Sequence, residues 1–126
     1  MKGEEYLTKS EQYELVYKKG SSWTSNLVVM KALPNRLSLS RYGFSVSRRV
    51  GKAVIRNRVK RLLREILRST SLEPGWDIIF IARPASASTN YANLEESVAG
   101  LLSRARLLET AEKHRLSAEL NRGVVG

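Results

Sequence analysis

"SRRVGKAVIRNRVKRLLREILRS", residues Ser47 to Ser69, carries nine basic side chains and one acidic one. Seven aliphatics, Val54, Ile55, Val59, Leu62, Leu63, Ile66 and Leu67, are threaded through the same run. At 100° per residue the aliphatics fall on one broad arc, and Asn57, Lys60, Arg61, Arg64 and Arg68 fall on the opposite one. Arg56 and Arg58 mark the two borders. The pattern predicts a helix over Ala53 to Arg68, with the aliphatic arc docked on the rest of the domain and a cationic ridge left outside.

The ridge is where the protein's charge is concentrated. From Arg36 to Arg68 there are eleven of the 22 Lys and Arg but only one of the twelve Asp and Glu, Glu65. The remaining chain holds eleven of each sign, so the whole formal excess of +10 sits in this segment. A solvated helix face held by i,i+4 ion pairs would need acids that are not there. A membrane-surface helix would want aromatics on its apolar face, and this face has none. Nine of the eleven cations are Arg, whose planar fork donates two parallel hydrogen bonds to a phosphate and stays charged at any relevant pH. The expected partner is therefore a polyanion.

The flanking sequence supplies something for the helix to dock on. Thr8 to Glu11 has the spacing of a capping box, and Lys18-Lys19-Gly20 is a helix stop, which predicts a helix over Ser10 to Lys19. Asn26 to Leu33 is rich in β-branched residues and ends at Pro34, so it reads as a strand. In Arg41 to Ser47, Tyr42, Phe44 and Val46 alternate with Gly43, Ser45 and Ser47, giving a second strand. Glu73-Pro74-Gly75 is a turn. Trp76 to Ala82 is nearly all apolar, the pattern of a strand covered on both faces. A loop follows Pro84, and a last helix is expected from about Asn90 to Leu108, with Asn93 and Glu96 as candidate caps.

The 126 residues are expected to form one α+β domain over 1–108, in the order α-β-β-α-β-α, with a charged tail over 109–126. No apolar run is long enough for a membrane span and the N-terminus has no signal-peptide core. With no Cys either, the protein is expected to be soluble and cytoplasmic, without a membrane partner. The inventory also narrows the chemistry. One His (His114), one Asp (Asp77) and no Cys leave little for a zinc site or a Cys/His nucleophile. No Walker-type phosphate loop occurs, and no acids are interleaved with the arginines as a two-metal nuclease would require.

The segment "GFSVSRRVGKAVIRNRVKRLLRE" strongly resembles the signature of the bacterial ribonuclease P protein subunit, centred on Arg56-Asn57-Arg58 with Val59-Lys60-Arg61 behind it. Weaker similarity extends to "LTKSEQYELVYKKGSS" upstream and "WDIIFIARP" downstream. The resemblance implies a small α/β sandwich, with helices on a central, mostly antiparallel sheet. It further implies a left-handed β-α-β crossover, as in the second domain of a small-subunit ribosomal protein. It implies a protein that binds the catalytic ribonuclease P RNA and the 5′ leader of precursor tRNA, with hydrolysis and its Mg2+ belonging to the RNA. No organic cofactor and no obligate protein partner are implied. By position, the RNA-binding set would be Arg48, Arg49, Lys52, Arg56, Asn57, Arg58, Lys60, Arg61, Arg64 and Arg68. The leader cleft would use Tyr13, Tyr17, Lys31, Ser45 and Ser47. Tyr13 and Tyr17 lie at i,i+4 and can offer two rings on one helix face, or can simply pack on the sheet. Lys31 stands where some relatives carry an aromatic, so a phosphate contact would replace stacking there. A ribosomal or assembly protein that binds RNA without processing it would share the same chemistry.

Overall fold

A computed structural model describes residues 4–109 of the chain. Five strands, β1 (Glu4–Tyr6), β2 (Ser21–Thr24), β3 (Val28–Pro34), β4 (Ser40–Ser45) and β5 (Trp76–Ala82), make one sheet in the order β1-β4-β5-β3-β2. Three helices, α1 (Ser10–Lys19), α2 (Ala53–Arg68) and α3 (Tyr91–Arg104), pack on it. The class is α+β, as the sequence predicts, with two short edge strands added. The sheet is mixed. β1 pairs parallel with β4 and β4 with β5, whereas β3 pairs antiparallel with β5 and with β2. The parallel β4–β5 pair follows from the connection between them, since a helix that crosses over a sheet returns the chain in the same direction.

Alternation along the strands sorts the side chains into two faces. Val28, Met30 and Ala32, Tyr42 and Phe44, and Ile78, Phe80 and Ala82 form the face covered by α2 and α3. Val59, Leu63, Ile66 and Leu67 of α2 and Leu94, Val98, Leu101 and Leu102 of α3 close this core. Each fully buried Leu, Ile or Phe there contributes about 1.5–3 kcal/mol over exposure. On the opposite face α1 lays Val16 over Ile79, with Leu7 beside it and Tyr13, Leu33 and Ile81 around the contact. Burial on both faces is why β5 reads as a nearly continuous apolar run, with Asp77 its one charged residue.

Several boundaries differ in detail from the sequence expectation. The N-terminus of α1 is closed by Gln12, whose Oε1 accepts from the backbone N–H of Thr8 and of Lys9, each at 3.0 Å. Glu11 does not serve as the expected carboxylate of the box. Pro84–Ser88 is a turn of 3-10 helix, and its Ser86 is fully buried. Asn90 caps α3 by accepting from the Asn93 N–H at 2.8 Å. That helix stops at Arg104, because Arg106 takes a left-handed conformation (φ 60°). Leu108, expected inside the helix, bridges to Leu72. Beyond Glu109 the tail lies outside the described residues.

Candidate nucleic-acid interface

The expected cationic ridge is present, with three corrections. Arg48, Arg49, Lys52, Asn57, Arg61, Arg64 and Arg68 are exposed and Lys60 is half-buried. None of these side chains meets an acidic or hydrogen-bonding partner among the described residues. The first correction concerns Val54, which the helical wheel places with the buried aliphatics. It is 78% exposed. Only Val59, Leu63, Ile66 and Leu67 are buried, with Ile55 and Leu62 partly so. The docked arc is thus narrower than the aliphatic arc, and Val54 lies on the ridge beside Asn57, Arg58 and Arg61.

The second correction concerns the border arginines, which brace the domain as well as facing solvent. Arg56 donates from Nε to the Gly51 carbonyl at 3.1 Å, clasping the turn that leads into the helix. Arg58 donates from Nη2 to the Thr89 carbonyl, tying α2 to the start of α3. The third concerns Arg41, one of the eleven cations of the basic segment. It is spent internally, with Nε 2.8 Å from Asp77 Oδ1 and Nη2 2.7 Å from Oδ2. Asp77 is 4% exposed and also accepts from Asn35 Nδ2 at 2.8 Å. A fork-to-fork pair of this kind neutralises both charges on the face under α1.

Between Ser45 and α2 the chain makes two overlapping turns, Val50 N–H to the Ser47 carbonyl at 3.1 Å and Gly51 N–H to the Arg48 carbonyl at 3.2 Å. They raise Arg48 and Arg49 to the surface. Gly51 has φ 151°, and a Cβ there would stand 3.0 Å from the Ile55 side chain, so any other residue would be strained at the hinge into the helix. Ser47 was expected on the strand. It instead opens these turns, with Oγ accepting from the Arg49 N–H at 3.3 Å. Strand β4 stops at Ser45 because the backbone turns to enter α2.

On the α1 face, Lys31 pairs in register with Ile79, and Gly43 and Ser45 pair with Ile79 and Ile81. Lys31 and Ser45 are therefore on the same face as the α1 contact, both half-buried. Tyr13 and Tyr17 divide the two readings of the tyrosine pair. Tyr13 packs, since its ring lies over Gly43, where any Cβ would run into its hydroxyl and ring. Tyr17 is 40% exposed and open to a ligand. Burial pushes the Tyr13 hydroxyl above the usual 10.0, the neighbouring Tyr17 adds to this, and the Phe44 backbone N–H opposes it. A pKa raised in the folded state means that Tyr13's contribution is complete below the ordinary tyrosine range. It is lost as pH climbs through the folded value. Tyr13→Phe should therefore flatten the alkaline limb of the stability profile in denaturant titrations; an alkaline loss as steep as in the unaltered protein would contradict this.

The site is thus a ridge of unpaired arginines on one side of the sheet, and a half-open cleft with one free tyrosine on the other. Comparison with known proteins shows the family. The family profile described as "Ribonuclease P" matches residues 1–106. The chain belongs to the ribonuclease P protein family. A ribonuclease P protein component from Dehalococcoides mccartyi is 50% identical over 113 residues, covering 90% of this chain and 94% of that protein. The ribonuclease P protein structure from Staphylococcus aureus superposes with a TM-score of 0.74 at 30% identity, over 82% of this chain and 97% of that one. That from Thermotoga maritima gives 0.73 at 30%, over 79% and 96%. Within the ribonuclease P fold, two cations outside the signature also bear on the surface. Arg83 donates to the Ser25 carbonyl at 2.9 Å and Arg104 to the Thr24 carbonyl at 3.2 Å, so both clamp the β2–β3 turn. Nothing in their local sequence distinguishes them from solvated charges.

Proposed function

We propose that this chain is the protein subunit of ribonuclease P, gripping the catalytic RNA with the outer face of α2 and the 5′ leader of precursor tRNA in the cleft beside α1. The observation that carries this is the unpaired ridge. Arg61, Arg64 and Arg68 are exposed on a helix whose other face is locked in the core by Val59, Leu63, Ile66 and Leu67. A rigid row of guanidinium forks with no acid paired to them is costly in self-repulsion and gains its compensation when phosphates arrive. Arg48, Arg49 and Lys52 extend the row to the turn before α2, and Arg56, Asn57, Arg58 and Lys60 complete the RNA-facing set.

In this reading the leader lies along Tyr17, Lys31 and Ser45, with Tyr13 as the wall that holds α1 at its distance from the sheet. Ser47, at the start of the turns, joins the cleft to the ridge. Substituting Tyr17 by Ala should weaken binding of leader-bearing precursor tRNA by about 1–3 kcal/mol while sparing mature tRNA. Equal losses for both RNAs would make Tyr17 a packing residue.

The described residues bring together no group of three His, Cys, Asp or Glu side chains able to hold a metal ion. In this reading Mg2+ and the hydrolysis belong to the RNA. No helix among the described residues is long and apolar enough to cross a membrane. The test is reconstitution with a bacterial ribonuclease P RNA at low Mg2+. Added protein should raise precursor-tRNA cleavage; cleavage left unchanged by the protein would refute the proposal, and cleavage by the protein alone would move the chemistry onto it.

A further inference from the structure

A cleft of about 420 Å³ opens between the β2–β3 turn and α3, within the about 300–1,000 Å³ range of small-molecule sites. Its floor is apolar, formed by Leu27 and Leu101, and Gly100 adds open space, with nothing within 4 Å of where a Cβ would stand. Its rim is polar. Asn26, Asn93 and Glu96 are exposed on it, and their side chains have no hydrogen-bond partner among the described residues. The walls are held in place by other groups. Ser25 Oγ lies 2.6 Å from Ser97 Oγ, and Arg83 and Arg104 fix the turn through the Ser25 and Thr24 carbonyls. An apolar floor under a rim of unused donors and acceptors suits a heterocycle with polar edges.

The cleft is also next to the ridge. Thr89 is on its rim, and the Thr89 carbonyl is the acceptor that holds Arg58 of α2. A strand of RNA lying on the ridge has only to pass Arg58 to reach it. Glu96 decides which part of a nucleotide can enter. Its carboxylate accepts hydrogen bonds and donates none, and it repels phosphate, so it must meet a base edge that donates. Guanine presents two adjacent donors, N1–H and the N2 amine, matched to two carboxylate oxygens. Adenine and cytosine offer one exocyclic amine each, and uracil a single N–H between two carbonyl oxygens that the carboxylate repels.

We propose that this cleft takes one unpaired guanine of an RNA strand crossing α2, with Glu96 accepting from N1–H and the N2 amine and Asn26 and Asn93 reaching its remaining edge. The assignment rests on α2 being the RNA face, and the test separates the two. Binding of the full chain to short oligoadenylates carrying one central guanosine, inosine or adenosine is followed by fluorescence anisotropy at low salt. The guanosine strand should bind about tenfold tighter than the all-adenosine strand, and inosine, which lacks the N2 amine, should fall between them. In Glu96→Gln the guanosine and adenosine strands should bind alike. Equal affinities in the unaltered protein, or a guanosine preference that survives Glu96→Gln, would overturn the proposal. Failure of the α2 reading would show differently, as adenosine-strand binding indifferent to salt and to Arg61→Ala.

Discussion

Gly43→Val should destabilise the protein by about 3 kcal/mol, at the upper end of what overpacking costs. Gly43 is buried in the middle of β4, and the Tyr13 ring occupies the space where its Cβ would be. A branched side chain there must displace the Tyr13 ring, which packs α1 on the sheet. Val16, which is fully buried over Ile79, would lose part of its contact, and the cleft between helix and sheet would change width. The loss should be specific to the pair. In a Tyr13→Ala background the cost of Gly43→Val should shrink by about 1–2 kcal/mol, a coupling expected of residues in direct contact. Denaturant unfolding of the four proteins measures it, and a cost that is the same in both backgrounds would place the strain elsewhere.

Asp77→Ala should cost about 3 kcal/mol, because it takes the two carboxylate oxygens from the Arg41 guanidinium and leaves Asn35 Nδ2 only its longer bond to the Leu39 carbonyl. The Arg41 side chain retains 20% exposure, so water reaches the guanidinium and the loss should sit near the low end of the range for buried pairs. Replacing both partners, Arg41→Met with Asp77→Leu, should recover most of the stability, since an apolar pair leaves no charge to desolvate. If Asp77→Ala melts with the unaltered protein, the pair does not hold β4 to β5. The prediction also separates two kinds of arginine in one basic segment, with Arg41 serving the fold and Arg61 and Arg64 serving the partner.

The helix α2 was legible from its period, α1 from its cap spacing and its Gly20 stop, and β5 from its nearly all-apolar run between the Glu73-Pro74-Gly75 turn and Pro84. The edge strands were not. Glu4–Tyr6 and Ser21–Thr24 are three and four residues long, and β2 turns only Trp23 toward the core, so neither shows an alternation long enough to read. Val54 shows the limit of a helical wheel, which assigns a face from residue type but cannot see how much of that face the sheet and α3 cover. The fate of Arg41 was hidden for a different reason. Its partner is 36 residues away and is brought alongside only by the parallel register of β4 and β5. The two tyrosines were correctly paired at i,i+4, but their division into one packed and one open ring depends on Gly43 standing beneath Tyr13. The clamps of Arg83 and Arg104 are tertiary throughout, so no local pattern announces them.

The salt dependence of binding to the ribonuclease P RNA tests the central claim most directly. If the exposed face of α2 grips phosphates, a plot of log affinity against log salt should be steep for the unaltered protein. It should become shallower by roughly one unit for each of Arg61→Ala and Arg64→Ala, and by about two for the pair. An unchanged slope in the double variant would remove this ridge from the interface and contradict the account.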